Sequence, residues 1–280
     1  MGEFLEENKE LAHKVVFTWL SNFSCNFRCP YCFFSDRWPD VVKRDRLFSE
    51  EEIISAWLRI KDRYGEVKIE LSGGEPSQHP NFISLIRKIS PLHKIGISTN
   101  LSFDVRALVD NCNPARVGLG VSFHPYFTKI DDMVSKLSLL KKNGWISGVI
   151  LVGYPPVINN LAYYNSCFND FGFSVLPFWG KYNNKNYPMD YTEKEKADLN
   201  KYIAIRGNET FKVEPIRVKD KICRAGQIYA HIMPDGEVCR CGAGGDLISK
   251  NFFDEEFSLL DKPLPCASEY CSCLEWVVCD

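Results

Sequence analysis

No stretch of this sequence reaches the roughly 20 consecutive apolar residues that a membrane-spanning helix needs. The longest candidate, Trp145 to Val157, is broken by Gly148, Gly153 and the Pro155-Pro156 pair. The first ten residues, MGEFLEENKE, are acidic and lack the basic start and apolar middle of a signal peptide. A myristoylation signal is missing too, because Glu6 stands where Ser or Thr is expected. Internal repeats and low-complexity tracts are absent, which argues against a repeat architecture. Nor is there a surplus of charge. The 34 Lys and Arg against 36 Asp and Glu leave a formal −2, with no basic field to draw nucleic acid or an anionic membrane. The expectation is a cytoplasmic protein with neither partner.

What remains is an ordinary globular composition, 45% hydrophobic and 25% charged. At 280 residues it suits one large domain and a small appendage. The 12 cysteines are the unusual feature. Disulfides are disfavoured in a reducing compartment, so clustered thiols there point to metal or redox chemistry. Three lie within Cys25–Cys32, Cys112 and Cys167 stand alone, and seven crowd into Cys223–Cys279. The isolated pair reads as small buried hydrophobes.

From Val15 to about Lys181, short β-like runs alternate with amphipathic helical stretches. The strands are VVFTWL, EVKIEL, KIGIST, RVGLGVSF, ISGVILVG and FSVLPFW. Ser49-x-x-Glu52 is a capping box for a helix with Ile53, Ile54, Trp57 and Leu58 on its apolar face. Further helices are expected near 81–89, 103–110, 129–142 and 158–170, the third of these capped by Thr128 and ended by Gly144. Strands separated by helices imply a parallel sheet with right-handed crossovers. A curved sheet or partial β/α barrel fits, with its chemistry at the C-terminal strand ends. Polar residues gather there: the Cys25 group after the first strand, Gly73-Gly74-Glu75-Pro76 after the second, Asn100 after the third, and Ser122 with His124 after the fourth. Residues 181–192 read as a turn-rich linker, followed by a polar helix from Thr192 to Ile205.

Cys25-Asn-Phe-Arg-Cys29-Pro-Tyr-Cys32 puts three thiols on one short loop. Cys29-x-x-Cys32 has zinc-knuckle spacing, but a fourth ligand does not follow until Cys112. Three thiolates suit a four-iron cluster with one iron left open, a departure from four-Cys ligation. The C-x3-C-x2-C pattern after a first strand, with GGE after the second, resembles the radical S-adenosylmethionine (radical SAM) superfamily. That resemblance implies an α/β fold built on a partial (β/α)6 barrel. It implies a [4Fe–4S] cluster on Cys25, Cys29 and Cys32, with the free iron chelating the amino and carboxylate groups of SAM. Tyr31 matches the aromatic residue near the adenine, and Gly73, Gly74 and Glu75 match the segment that receives the SAM amino group. Asn100 and Ser122 match strand-end positions that touch the ribose or carboxylate, although either could be a local cap. His124 reads as a structural histidine beside a turn or as a catalytic one. A low-potential donor of flavodoxin or ferredoxin type is also implied.

The tail reads as a β-hairpin about the Pro234-Asp235-Gly236 turn. Twelve residues separate Cys223 from Gly236 and four separate Gly236 from Cys241. This resembles the opening of a SPASM or twitch extension, which binds auxiliary [4Fe–4S] clusters. Under that match Cys223 and Cys241 are ligands, and two of Cys266, Cys271 and Cys273 complete a single auxiliary cluster. The run Cys266-x4-Cys271-x-Cys273-x5-Cys279 departs from the C-x2-C-x5-C-x3-C of a full SPASM domain, and a structural zinc ribbon remains an alternative. The expected organisation is an N-terminal segment (1–14), a barrel (15–181), a linker and bridging helix (182–218), and a Cys-rich hairpin and helix extension (219–280). The expected activity is reductive SAM cleavage and hydrogen abstraction from a small molecule, sugar-like or another metabolite. The auxiliary cluster would accept an electron. A ribosomally made peptide is the alternative substrate, disfavoured by the absence of a leader-binding domain before the first strand. A non-catalytic metal scaffold is the remaining reading.

Overall fold

Alternating apolar residues in six short runs fold as parallel strands of one sheet. The computed structural model describes residues 15–271 apart from 204, 207, 208, 211, 212, 214, 215, 244 and 245. In order come β1 (Val16–Leu20), α1 (Trp38–Val41), α2 (Glu50–Tyr64), β2 (Lys68–Ser72), α3 (Phe82–Ile89), β3 (Lys94–Thr99) and α4 (Arg106–Asn111). Then follow β4 (Val117–Ser122), α5 (Ile130–Lys142), β5 (Ser147–Gly153), α6 (Leu161–Cys167) and β6 (Phe173–Pro177). Beyond the last barrel strand lie β7 (Gly180–Tyr182), β8 (Lys185–Tyr187) and α7 (Glu193–Asn200). The tail holds β9 (Ile205–Arg206), β10 (Glu209–Thr210), β11 (Ile216–Arg217), β12 (Ile222–Cys223), β13 (Tyr229–Ile232), β14 (Val238–Cys239), β15 (Leu247–Ser249), β16 (Leu264–Pro265) and β17 (Tyr270–Cys271).

Strands β1 to β6 pair in sequence order, all parallel. The sheet then continues past β1 in the order β13-β14-β15, with β13 parallel to β1 and the rest antiparallel. The tail hairpin is therefore part of the main sheet, and nine strands join among the described residues. The two ends of the sheet do not pair, so the barrel stays open.

The period of two separates two environments. Phe17, Trp19, Ile69, Leu71, Ile95, Ile97, Leu119 and Val149 are buried under the helices. Trp57 of α2 is fully buried and meets the Phe17 ring edge-on at 5.8 Å. The opposite, concave face carries Thr18, Glu70, Gly96, Ser98, Gly118, Gly120, Ser122 and Gly148, in register across the strands. These side chains line the concave side of the open barrel, its lumen, together with Val16, Leu20 and Ile150.

Several local expectations change. The α5 N-cap is Lys129, not Thr128, whose hydroxyl is buried without a partner; Gly144 does follow its last turn, with φ 78°. The 158–170 helix is a short α6 between two 3-10 turns, because Pro155 and Pro156 open the segment. The helix after Thr192 has its capping box but stops at Asn200, and Ile203 instead bridges Val175 of β6. Linker residues 180–187 form a hairpin turning through Asn183 and Asn184 at positive φ.

Candidate radical SAM site

The chain leaves β1 through Ser21-Asn22-Phe23-Ser24 and enters the three-cysteine loop. The base of this loop is held from two sides. From β2, the Gly74 N–H donates to the Asn22 carbonyl (2.8 Å) and the Glu75 N–H to that of Ser24 (2.9 Å). A Cβ on Gly73 would stand 2.2 Å from the Asn22 oxygen, and one on Gly74 2.1 Å from the Phe23 oxygen. Only glycine permits that approach. The two motifs are thus one interlocked unit, with the glycines serving the cysteine loop's own backbone. From the other side, Asp45 accepts from the Phe23 N–H (2.5 Å), the Ser24 N–H (3.0 Å) and the Ser24 hydroxyl (2.6 Å).

Glu75 is almost fully buried at 1% exposure. Its carboxylate accepts from the Ser77 N–H (3.1 Å), the Thr99 hydroxyl (2.7 Å) and the Asn100 N–H (2.7 Å). It stitches the end of β2 to the end of β3, with at most one lone-pair direction left for a ligand. Asn100 donates from Nδ2 to Asn26 of the cysteine loop (3.0 Å), and its Oδ1 accepts from the Ser102 N–H (2.9 Å). Ser122 ends β4, half-buried on the lumen face.

Cys25, Cys29 and Cys32 are all free thiols. Burial raises each above the ordinary thiol range, Cys29 to about 12. Cys29 also responds to the charge of the other two, and Cys25 to that of Glu75. Arg28, which the sequence pattern left unassigned, favours the thiolates of Cys25 and Cys32. Its guanidinium donates to the Cys25 carbonyl (2.6 Å) and lies 4.4 Å over the Trp38 ring. His124 is brought against the loop: Nδ1 lies 3.3 Å from Cys29 Sγ and 3.0 Å from the Tyr31 hydroxyl. Burial lowers its pKa to about 4, so the ring is neutral. Tyr31 stacks on His124 at 5.9 Å and meets Tyr154 at 5.2 Å, and Tyr154 meets Tyr182 of the β7–β8 hairpin at 5.0 Å. An aromatic wall thus rises beside the thiols. Sequence spacing gave no signal for Tyr154 or Tyr182.

In the tail, β12 pairs with β16 and β11 with β17. That pairing brings Cys223 within electrostatic reach of Cys266 and Cys271, and burial raises the Cys223 thiol. Cys241 packs with Cys223 against Val16, Ala225 and Tyr229. Arg240 is the brace, another residue the spacing did not single out. Its side chain is buried, and it donates to the carbonyls of Ala225 (3.0 Å), Cys223 (3.3 Å), Leu264 (2.9 Å) and Pro265 (3.0 Å). Both ring nitrogens of His231, opposite Cys239, are buried with no partner among the described residues. Cys273 lies outside the described residues. Cys112 and Cys167 pack against the core, as expected of small hydrophobes.

Among the described residues, no three His, Cys, Asp or Glu side chains gather closely enough to hold a single metal ion. A three-thiol loop does fit a larger cluster with one metal corner open, and the four strand ends around it fit an organic cofactor.

The arrangement is an open parallel β/α barrel with a three-thiol loop at its C-terminal mouth. Residues 21–157, just under half of the chain, match the Radical SAM superfamily model. That match implies a [4Fe–4S] cluster and SAM as cofactors. Bovine (Bos taurus) molybdenum cofactor biosynthesis protein 1 is 31% identical over 137 residues, 48% of this chain and 21% of that protein. The GTP 3',8-cyclase of Microcystis aeruginosa is 37% identical over 68 residues, 24% of this chain and 21% of that one. The chain thus spans about a fifth of the length of these curated relatives. Streptococcus suis SuiB bound to S-adenosylmethionine superposes with a TM-score of 0.62 at 16% identity, over 90% of this chain and 67% of that one. The same protein bound to precursor peptide SuiA gives 0.61 at 16% identity, over 90% and 66%. Among the described residues, no helix is long and apolar enough to cross a membrane.

Proposed function

We propose that this protein is a radical SAM enzyme in which Cys25, Cys29 and Cys32 hold the [4Fe–4S] cluster and SAM completes it. The observation carrying this reading is the interlock of the three-thiol loop with Gly73-Gly74-Glu75. It fixes three free thiols beside the strand ends that border the concave face. Bound together, the cluster and SAM supply a 5′-deoxyadenosyl radical that takes a hydrogen atom from the substrate. The chain's own residues do the positioning. Tyr31 presents a ring face to the adenine, and Asn100 and Ser122 offer hydrogen bonds to the ribose or carboxylate. Glu75 and the adjoining backbone receive the amino group. Burial keeps the thiols protonated until metal displaces the protons, so cluster loading releases them. A flavodoxin- or ferredoxin-type donor supplies the electron.

The tail cysteines Cys223 and Cys241, with two of Cys266, Cys271 and Cys273, are proposed to hold one auxiliary [4Fe–4S] cluster, a twitch-like arrangement. Support comes from Cys266 and Cys271 lying within electrostatic reach of Cys223 and from the Arg240 brace. For the substrate we favour a small molecule, supported by the small and polar residues on the lumen face and by the likeness of the barrel to an enzyme named for GTP. A peptide is the second reading, favoured by the fold shared with SuiB over most of this chain.

Anaerobic reconstitution tests the assignment. Two four-iron clusters require about eight irons per chain. Replacing Cys25, Cys29 and Cys32 together by Ala is expected to leave about half of that. Full iron retention in the triple variant would remove the N-terminal assignment.

A further inference from the structure

The Cys25 loop is closed at its base by the segment that follows it, and that segment is fastened to the tail. Asp45 takes both backbone N–H groups and the hydroxyl of Phe23-Ser24. Its neighbour Arg44 faces the other way. Arg44 Nε donates to Asp235 (2.6 Å) and Nη2 to Glu237 (2.6 Å), two acids at the tip of the β13–β14 hairpin. Burial opposes the Arg44 charge, yet the two carboxylates hold its pKa above the ordinary value. Four residues after Arg44, buried Phe48 packs against Gly236 of the same turn and against the Phe253 ring at 3.9 Å. Gly236 sits at φ 93° and its N–H donates to Met233 (2.9 Å), so the tip is a rigid partner. Because β13 runs parallel to β1, this tip and the cysteine loop lie at the same end of the sheet.

From this we infer that Arg44 and Asp45 are positioning residues, a two-residue staple through which the tail hairpin sets the geometry of the three-cysteine loop and hence SAM binding. This rests on the assignment of that loop to the cluster and SAM. The two carboxylates at the tip and the three donors at the loop base have opposite requirements, a cation and an anion. Adjacent residues of opposite charge meet both, and a shift of the tip is passed to the loop over one peptide bond. Arg44 and Glu237 are each about two-fifths exposed, at 39% and 43% of the side chain. Their replacement therefore does not open the core, which separates positioning from folding.

The test is SAM affinity by equilibrium dialysis on the reconstituted protein, read beside the SAM-induced change in the electron paramagnetic resonance of the reduced N-terminal cluster. The variants are Arg44→Gln, Glu237→Gln, their double, Arg44→Lys and Asp45→Asn. A coupling of ordinary size predicts about a 5-fold or greater loss of affinity in Arg44→Gln and in Glu237→Gln. The double variant should be no weaker than Arg44→Gln, because that change already removes the Glu237 contact. Asp45→Asn should weaken SAM most and blunt the spectral change, and Arg44→Lys should recover part of the loss. Unchanged affinity and spectra in Arg44→Gln, Glu237→Gln and Asp45→Asn, even with lowered melting temperatures, would overturn the inference. So would losses that multiply in the double variant. Absence of both SAM binding and the N-terminal cluster in the wild type would instead overturn the assignment underneath, and the staple with it.

Discussion

At the scale of single residues, the most constrained group is the Glu75 carboxylate. It satisfies three donors from two strand ends while buried. Glu75→Ala leaves the Thr99 hydroxyl and the Asn100 N–H unpaired, each worth about 1–3 kcal/mol. The expected outcome is a destabilised protein, measured by urea denaturation, with SAM binding lost whether or not the carboxylate touches SAM. Glu75→Gln is the informative change: one oxygen still accepts from Ser77 and Thr99 while the amide nitrogen faces the Asn100 N–H, so a loss of SAM affinity larger than the loss of stability would mark a direct contact. His93 makes a second prediction. It is fully buried, its Nδ1 accepting from the Val67 N–H (3.2 Å) and its Nε2 facing the Trp57 carbonyl (2.9 Å), an arrangement that suits the neutral ring. Burial lowers its pKa below 6.5. The unfolded chain then binds the proton more readily, so this share of stability is full above about pH 6.5 and is lost as the pH falls through the lower folded value. The melting temperature should fall between pH 7 and 5, and less steeply in His93→Gln. An equal slope in the variant would contradict it.

At the scale of elements, α2 ties the outer layer to both ends of the chain. Its capping box forms as the Ser49-x-x-Glu52 pattern requires, and it buries Ile53, Ala56, Trp57 and Ile60. Trp57 also meets Phe252 at 5.0 Å, so this helix supports the tail as well as β1. Trp57→Ala should cost about 3–5 kcal/mol in denaturant unfolding. The elements with strong periodicity, β1 to β6 and the helices between them, were legible in the sequence, as were the glycines and cysteines of the mouth. Other features were not legible, for physical reasons. Thr128 precedes a helix, but its hydroxyl turns inward and Lys129 takes the cap position. Whether a hairpin stands free or joins a sheet edge depends on register with a distant strand, here Val16 to Trp19 against Tyr229 to Ile232. Arg240, His124 and Tyr154 act through partners far along the chain, which spacing cannot show.

At the scale of the whole molecule, the tail is joined to the barrel by β13, by α2 and by the Arg44 contact, and Cys223 and Cys241 stand beside the first strand of the barrel. If the tail cluster accepts the electron left on the substrate, Cys241→Ala that still folds should form 5′-deoxyadenosine but no oxidised product. Normal product from a variant shown to lack the tail iron would remove any catalytic part for that cluster. The central claim concerns the first loop, and one measurement addresses it directly. Reconstituted protein is incubated anaerobically with dithionite and SAM, and 5′-deoxyadenosine is quantified by chromatography beside the Cys25/Cys29/Cys32→Ala variant. The account predicts formation by the wild type and none by the variant. Equal yields from both, or none from a wild type carrying its full iron, would contradict it.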